Sequence, residues 1–361
     1  MPEINVTKTY LPPPEEFRHY LDRIWAVGQV TNQGPLVDEL EAELRSYLGV
    51  PRLHFVSNGT MALQLALEAL DLPDGEVITT PFSYVATTSA ILWQRHTPVF
   101  VDVDPDSLCI DPAGIEAAIT DRTRAILPVH VFGRPCDVDA IAEIASRHQL
   151  PVIYDGAHAF GVVHRGRSLL SYGDVVTCSF HATKLFHTVE GGAVISADPA
   201  VDSRVELSKR FGHEDDDHVL LGINAKASEL HAAMGLCILP RVAELIDARR
   251  VCSARYDEVI PAGLRPAPMP AETRPNYAYY PLLLPDEPHV RKTIEALTVI
   301  GARPRRYFTP ALNRLPYLAE AGAPCPRAED IASRVLCLPL YDTLDFDDVA
   351  AIGQIVADIN G

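Results

Sequence analysis

Long hydrophobic runs are missing from the sequence. The 361-residue chain contains no uninterrupted apolar stretch of about 18 residues, the length that a membrane-spanning helix needs. Its beginning, MPEINVTKTYLPPPEEF, also lacks the charged and apolar regions of a signal peptide. We therefore expect a cytoplasmic protein without a membrane partner.

Cysteine is sparse and unpatterned. The seven cysteines are scattered along the chain, and no two of them have CxxC spacing. This distribution predicts free thiols in a reducing compartment and excludes a typical structural zinc site. The acidic run GHEDDDH offers His213, Asp215, Asp217 and His218 as metal ligands, but such charge runs are usually solvated, so no metal is expected.

Basic residues are outnumbered. The chain has 31 Lys and Arg against 48 Asp and Glu, which gives a formal net charge of −17. This charge would repel nucleic acid and anionic lipid at long range, and neither is expected as a partner. A local basic pocket for a phosphate remains compatible with it.

Two catalytic signatures are also absent. No GxGxxG follows the first apolar run, which disfavours a nicotinamide or flavin dehydrogenase. No GxSxG is present, which disfavours a serine hydrolase.

Short apolar runs alternating with helical segments dominate the part of the chain from residue 76 onward. They predict an α/β fold with a mostly parallel sheet that is covered on both faces. The runs are Val77–Thr79, Pro98–Val103, Ala125–Val129, Val152–Tyr154, Val175–Phe180 and Ala193–Ser196. At this length we expect two domains: an N-terminal arm with a large domain over residues 1–249, and a smaller α+β domain over 250–361.

Polar residues follow several of these runs, where ligands bind in parallel sheets. Lys184 follows the run that ends at Phe180, and Asp155 follows the run that ends at Tyr154, with His158 three residues later. Tyr84 follows the first run. The helix start at Gly59 and Thr60 has free amides that can hold an anion.

Together these features suit pyridoxal 5′-phosphate (PLP). A lysine amine, if its pKa is lowered, forms a Schiff base with the aldehyde; a carboxylate pairs with the pyridine nitrogen; and an aromatic ring covers the cofactor ring. Each residue also has an ordinary alternative role. Asp155 could cap a helix, His158 could be a satisfied core histidine, Tyr84 could be packing, and the Gly59 helix start could be a simple cap.

The motifs in order resemble the DegT/DnrJ family of PLP-dependent sugar aminotransferases, from about Val30 to the C-terminus. They are VTNQGP, SNGTMALQLAL, EVITTPFSYVATTSAI, PVFVDVDP, ILPVHVFGRPCDVDAI, YDGAHAFG, SFHATKLFHTVEGGAV, GINAKASELHAAMG and RRYFTP. The resemblance implies the fold-type-I aminotransferase architecture and a homodimer whose active sites are shared between subunits.

The resemblance also implies roles for individual residues. Lys184 would bind the cofactor aldehyde and carry the proton, and Asp155 would pair with the ring nitrogen. His158 would contact the ring hydroxyl side, and Tyr84 would stack on the ring. The phosphate would be held by Gly59, Thr60 and Ser179 and by Asn224 of the neighbouring subunit. The nucleotide-sugar side would be lined by His181, His187, Lys226, Arg303, Arg305, Arg306 and Tyr307.

SFHATK with EGG most resembles the branch that transfers an amino group from L-glutamate to C4 of a 4-keto-6-deoxy nucleotide sugar, such as dTDP-4-keto-6-deoxyglucose. The alternatives are an aminotransferase for a 3-keto sugar or a cyclitol, and a PLP-binding regulatory protein without turnover. The chain departs from many relatives at Gly156, where they have alanine, and at Lys226, where they have arginine.

Overall fold

The computed structural model describes residues 3–318 and 323–361. The α-helices in these ranges are α1 (Pro14–Val27), α2 (Pro35–Leu48), α3 (Gly59–Ala69), α4 (Ala86–Trp93), α5 (Pro112–Ala118), α6 (Val138–His148), α7 (Pro199–Ser208), α8 (Glu229–Ile238), α9 (Val242–Val259), α10 (Glu287–Val299), α11 (Pro326–Arg334) and α12 (Phe346–Asn360).

The strands are β1 (Ile4–Asn5), β2 (Leu53–Val56), β3 (Glu76–Thr79), β4 (Thr97–Phe100), β5 (Thr123–Leu127), β6 (Ile153–Asp155), β7 (Val163–His164), β8 (Arg167–Ser168), β9 (Val175–Ser179), β10 (Gly192–Ser196), β11 (His213–Glu214), β12 (Asp217–His218), β13 (Thr273–Arg274), β14 (Tyr280–Leu283), β15 (Ala302–Arg303) and β16 (Val335–Leu338).

The central sheet has the strand order β2-β10-β9-β6-β5-β3-β4. Its two halves are joined between β5 and β6 by the parallel bridges Ile126–Val152 and Val129–Asp155. Strand β10 runs antiparallel to both β2 and β9, whereas β6 with β9, and β3 with β4 and β5, are parallel. The predicted α/β class with a mostly parallel sheet is confirmed.

Both faces of this sheet are buried. Successive side chains of a strand point to opposite faces, so neighbouring residues of a strand pack into different clusters. Val77 and Val175 belong to one buried cluster, while their neighbours Ile78 and Val176 belong to another. This arrangement explains why the strands read as short continuous apolar runs without polar alternation.

Helix α2 illustrates how the sequence sets the helices. Leu36, Leu40, Leu44 and Leu48 recur at helical spacing, and all four are buried. Pro35 occupies the first turn, and Gly49 ends the helix with φ of 64°. The helical region predicted over 228–260 is likewise present as α8 and α9, interrupted around Pro240.

The C-terminal part has a hydrophobic cluster of its own. It is built from α9, α10, α12, β14 and β16, with Ile4 added from the N-terminal arm. The boundary expected between residues 249 and 250 lies inside the continuous helix α9. We propose that α9 is the element that joins the two domains.

The polar segment 204–224 differs from the loop that its composition predicts. Residues 204–208 continue α7, whose N-terminus is capped by Asp198 and whose buried side is formed by Val201 and Val205. The acidic run forms the hairpin of β11 and β12. Segment 204–224 has few apolar residues, so its composition did not indicate a helix. A helix needs only one buried stripe of apolar side chains.

Two kinds of feature are absent from residues 3–318 and 323–361. No helix there is long and apolar enough to cross a bilayer. No group of three or more His, Cys, Asp or Glu side chains there is arranged to hold a metal ion.

The pairing of β6 with β9 leaves no room for a side chain at Gly156. A Cβ there would overlap Leu170 Cδ2 and would lie 2.9 Å from the carbonyl oxygen of Thr177. We predict that Gly156→Ala lowers the free energy of unfolding by about 1–3 kcal/mol, as overpacking does. Denaturant unfolding measures the loss.

A second substitution provides the matched test. Adding Leu170→Val to Gly156→Ala shortens the overlapping side chain and should recover part of the lost stability, although Leu170→Val alone costs stability. Purely additive losses in the double variant would show that the two side chains do not collide.

Candidate active site

A cavity of about 710 Å³ lies at the carboxyl ends of β3, β6 and β9. Its walls come from the start of α3, the segment between β3 and α4, the loops after β6 and β9, and the C-terminal residues Tyr279, Arg305, Tyr307 and Phe308. Parallel strands place their carboxyl ends at one edge, so chain segments more than 200 residues apart converge there.

One wall is the N-terminus of α3. The Asn58 side chain caps the helix by accepting the backbone N–H of Met61 at 2.9 Å. Gly59 packs against Ser179 so closely that a Cβ at position 59 would lie 2.8 Å from Ser179 Cβ. Glycine at 59 thus allows the helix N-terminus, the Thr60 hydroxyl and the Ser179 hydroxyl to form one anion-sized cradle.

Gly192, the second glycine of the pair after Lys184, allows another close approach to the start of α3. A Cβ at Gly192 would lie 2.7 Å from the carbonyl carbon of Asn58. Strand β10 can therefore run beside the start of α3 only with glycine at this position.

Asp155 lies at the end of β6 and is 5% exposed. Its carboxylate accepts the Thr87 hydroxyl at 2.8 Å and the Ala157 N–H at 3.0 Å. Burial raises the pKa of Asp155 above its ordinary value, although Ala157, Thr87 and Lys184 each act in the opposite direction. A cation placed against this carboxylate would relieve the cost of burying it.

His158 is buried beside Asp155. Its Nδ1 accepts the backbone N–H of Phe132 at 3.2 Å, which leaves the proton on Nε2. Burial, and then the charge of Lys184, hold the pKa of His158 well below its ordinary value, so the ring is neutral. The ring lies parallel to Phe308, with centroids 5.5 Å apart.

Lys184 extends into the cavity and donates a hydrogen bond to the Tyr279 hydroxyl at 3.2 Å. Burial by itself would lower the pKa of Lys184, but Tyr279, Asp155 and Cys178 outweigh burial and raise it. These three neighbours therefore favour the ammonium form of Lys184.

Tyr84 lines the cavity and is 60% exposed. Its ring lies 6.5 Å from Phe308, centroid to centroid, at an interplanar angle of 56°. A planar ligand could stack there.

The residues expected on the substrate side divide into two groups. His181, Arg305 and Tyr307 line the cavity. His187 does not: it is 1% exposed, its Nε2 contacts the Tyr10 carbonyl at 2.8 Å, and its Nδ1 accepts the Val189 N–H.

Two of the expected arginines also lie away from the cavity. Arg303 pairs with Glu3, and Arg306 donates to the carbonyls of Ala332 and Ser333. The structure thus gives His187, Arg303 and Arg306 contacts that hold the chain together, because their polar atoms are used by other segments.

Asn224 and Lys226 lie outside the cavity of their own chain. Asn224 is exposed, and its side-chain oxygen accepts the Lys226 Nζ at 2.8 Å. Burial, followed by the nearby charge of Lys209, lowers the pKa of Lys226.

Comparison with known proteins shows the family of the chain. The sequence matches the DegT/DnrJ/EryC1/StrS aminotransferase family over residues 14–357. The chain belongs to this family. It is therefore an aminotransferase, and the resemblance seen in the motifs is confirmed.

Individual relatives cover the whole chain. It is 40% identical to a dTDP-4-amino-4,6-dideoxy-D-glucose transaminase of Shigella dysenteriae, over 99% of both chains. It is also 40% identical to a transaminase of the same name from Escherichia coli, over 98% of both. The solved structure of DesI in the presence of its TDP-sugar product is 34% identical, has a TM-score of 0.93, and is matched over 99% of this chain and 93% of DesI.

Sequence reasoning missed three side chains of this aminotransferase: Thr87, Tyr279 and Phe308. Thr87 contacts Asp155 from α4, and Tyr279 and Phe308 approach His158 from the C-terminal part. The only sequence signals were a threonine pair in SYVATTSAI and aromatic residues in YAYY and RRYFTP. Neither signal indicates which ring or hydroxyl faces the cavity.

Thr87 should control the protonation of Asp155. Thr87→Val removes a hydrogen bond that favours the carboxylate, so the pKa of Asp155 rises further and the acid form persists to higher pH. We predict that kcat/KM falls about tenfold near pH 6 and much less near pH 8. A pH profile of aminotransferase activity measures this.

Thr87→Ser, which keeps the hydroxyl, is the matched control and should retain the original acid limb. An unmoved acid limb in Thr87→Val, or an equal movement in Thr87→Ser, would contradict the role given to this hydrogen bond.

Proposed function

We propose that the chain is a PLP-dependent enzyme that transfers an amino group from L-glutamate to C4 of dTDP-4-keto-6-deoxyglucose. The observation that carries this proposal is the convergence of Lys184, Asp155 and the N-terminus of α3 on one cavity. The choice of sugar is supported by the names of the two transaminases that share 40% identity over nearly the full chain.

The residues present fit PLP. The Gly59–Ser179 approach forms a cradle that a side chain at position 59 would fill, and it suits the phosphate. The buried Asp155 carboxylate suits a protonated ring nitrogen, and Lys184 supplies the amine that an aldehyde requires. Tyr84 offers the exposed ring face.

PLP, when bound, supplies an aldehyde that reacts with amines and a ring that withdraws electrons from the neighbouring carbon. Asp155 would accept a hydrogen bond from the ring nitrogen and thereby keep a proton there. Lys184 Nζ would hold and return the proton that moves during amino transfer. Neutral His158 would present Nε2–H on the ring hydroxyl side without adding charge.

The sugar would enter on the side lined by His181, Arg305 and Tyr307. Arg305 is held by paired backbone bonds to Cys337, with distances of 3.0 Å and 2.7 Å, so its guanidinium projects from a fixed point. An exposed arginine whose backbone is fixed in this way suits an anionic diphosphate or carboxylate.

We also propose that the working unit is a homodimer with shared active sites. Asn224 and Lys226 are polar, accessible and outside their own cavity, which is the placement required of residues that complete the phosphate site of a partner. Exposed apolar residues nearby, Phe211, Val219 and Leu221, suit burial in such an interface.

The purified enzyme should convert dTDP-4-keto-6-deoxyglucose and L-glutamate into a 4-amino-4,6-dideoxy sugar and 2-oxoglutarate. Mass spectrometry identifies the amine, and NMR assigns its carbon and configuration. Lys184→Ala should lower kcat by at least about a thousandfold, because no other lysine lines the cavity walls formed by the described residues. Lys292→Ala, at an exposed lysine of α10, is the control.

Parallel reactions with a 3-keto nucleotide sugar and a keto-cyclitol separate the alternatives. Faster conversion of either would move the reaction away from C4. Spectroscopy with glutamate alone tests the remaining alternative, since an unchanged cofactor absorption would indicate a PLP-binding protein without turnover.

Shared sites predict complementation between inactive subunits. A hybrid dimer of one Lys184→Ala chain and one Asn224→Ala chain contains one site with both residues intact. Dual-tag purification of this hybrid should yield about half of the wild-type activity. The two parent homodimers should be much weaker, in activity for Lys184→Ala and in cofactor affinity for Asn224→Ala.

The matched control pairs Lys184→Ala with Asp155→Asn. Both residues belong to the same chain's cavity, so neither site of this hybrid is intact and no recovery is expected. Equal recovery in both hybrids, or in neither, would overturn the sharing proposed for Asn224.

A further inference from the structure

Tyr279 stands directly against Lys184. Its hydroxyl accepts the Lys184 Nζ at 3.2 Å, and the same nitrogen lies 5.9 Å from the centre of the tyrosine ring. The ring packs edge-on against His158, with centroids 4.9 Å apart, and against Tyr307, with centroids 5.9 Å apart. Two neighbouring rings therefore limit where the hydroxyl can point.

The backbone around Tyr279 is also held from behind. Asn276 is 1% exposed, and its side-chain nitrogen donates to the carbonyls of His158 and Phe160, each at 2.9 Å. Its side-chain oxygen accepts the Ala278 N–H at 3.1 Å. Asn276 thus ties the segment that carries Tyr279 to the loop that carries His158.

The segment that carries Tyr279 has an unusual backbone conformation at Tyr277. Tyr277 has φ of 50°, a left-handed conformation that is unfavourable for a bulky side chain. The bend lies between the Asn276 clamp and Tyr279, and it brings Tyr279 to the cavity.

The groups that face Lys184 explain why a hydroxyl is useful there. Asp155 and Cys178 come from the sheet, His158 from the following loop, and Tyr279 from the C-terminal part. His158 is neutral, while the Asp155 carboxylate accepts hydrogen bonds from Thr87 and Ala157. Among the described residues, Tyr279 is the partner that receives a direct hydrogen bond from the amine.

We propose that Tyr279 is a positioning residue that receives the Lys184 ammonium whenever the amine is not holding the cofactor. It keeps the proton on Nζ and the side chain on one side of the cavity, ready to return the proton. No covalent bond forms or breaks at Tyr279, and the proton that Lys184 Nζ takes up remains on this nitrogen until it is returned. This inference rests on the proposed function of Lys184.

The test is the reactivity of Lys184 in the full-length chain after removal of cofactor. Trace labelling with acetic anhydride across about pH 6–10, quantified by peptide mass spectrometry, measures the neutral fraction of the amine. In Tyr279→Phe, burial should dominate and the neutral fraction should rise, so labelling of Lys184 near pH 8 should be about tenfold faster than in the wild type.

Tyr307→Phe is the matched control. It removes a hydroxyl from the same cavity without touching the Lys184 hydrogen bond, and its labelling rate should equal that of the wild type. Equal labelling of Lys184 in wild type and Tyr279→Phe would overturn the proposal, as would equal acceleration in Tyr307→Phe.

A second measurement uses the enzyme with cofactor bound. It tests the proposal even if Tyr279→Phe is loosely folded without cofactor. In Tyr279→Phe, kcat for the complete reaction should fall about tenfold while KM for the keto sugar stays within about twofold. If KM for the keto sugar rises while kcat is unchanged, Tyr279 has a structural role, and this result would contradict positioning. If no sugar is aminated at all, the proposed function fails, and the labelling result still decides the role of Tyr279.

Discussion

The candidate active site depends on burying one carboxylate. Asp155 lies at the end of a central strand with 5% of its surface exposed, and among the described residues its hydrogen-bond donors are the neutral Thr87 hydroxyl and Ala157 N–H. Burying an ionised carboxylate is costly unless hydrogen bonds and nearby positive charge compensate. Thr87, Ala157 and Lys184 supply part of this compensation, and the remainder is available to a cationic ligand.

The sheet buries Asp155 and still leaves a cavity through which a ligand can reach it. Parallel strands β3, β6 and β9 bring Asp155 and Ser179 to one edge and leave the cavity open beyond that edge. The antiparallel strand β10 then inserts between β2 and β9, with Gly192 against Asn58. The anion cradle at α3 and the lysine after β9 are therefore held by the same short group of strands.

Sequence reasoning predicted the parts of the molecule in which local pattern determines structure. The six apolar runs became strands, and the helical region predicted over 228–260 became α8 and α9, because burial of one stripe or face is legible in a single segment. The polar helix α7 and the placement of His187 were not legible. Each depends on what distant segments contact, as His187 does with the Tyr10 carbonyl.

The same limit applied to the protonation of Lys184. The apolar run before the lysine indicated burial, and burial does act to lower its pKa. The opposing hydroxyl comes from Tyr279, 95 residues later, and its direction is set by Asn276 and the bend at Tyr277. A lysine motif thus locates the amine, but only tertiary packing determines its charge.

Charge also links the cavity to the rest of the molecule. The chain carries a net −17, yet the described cavity walls contain two strong cations, Lys184 and Arg305, against the acids Asp155 and Glu190. The charges of these two cations and two acids cancel. The negative charge of a phosphate and a nucleotide sugar in the cavity would therefore be left unbalanced. Lys226 lies outside its own cavity, beside Asn224, and a partner's copy would supply the missing charge where the overall field repels anions. This balance favours a site completed by two subunits over one contained in a single chain.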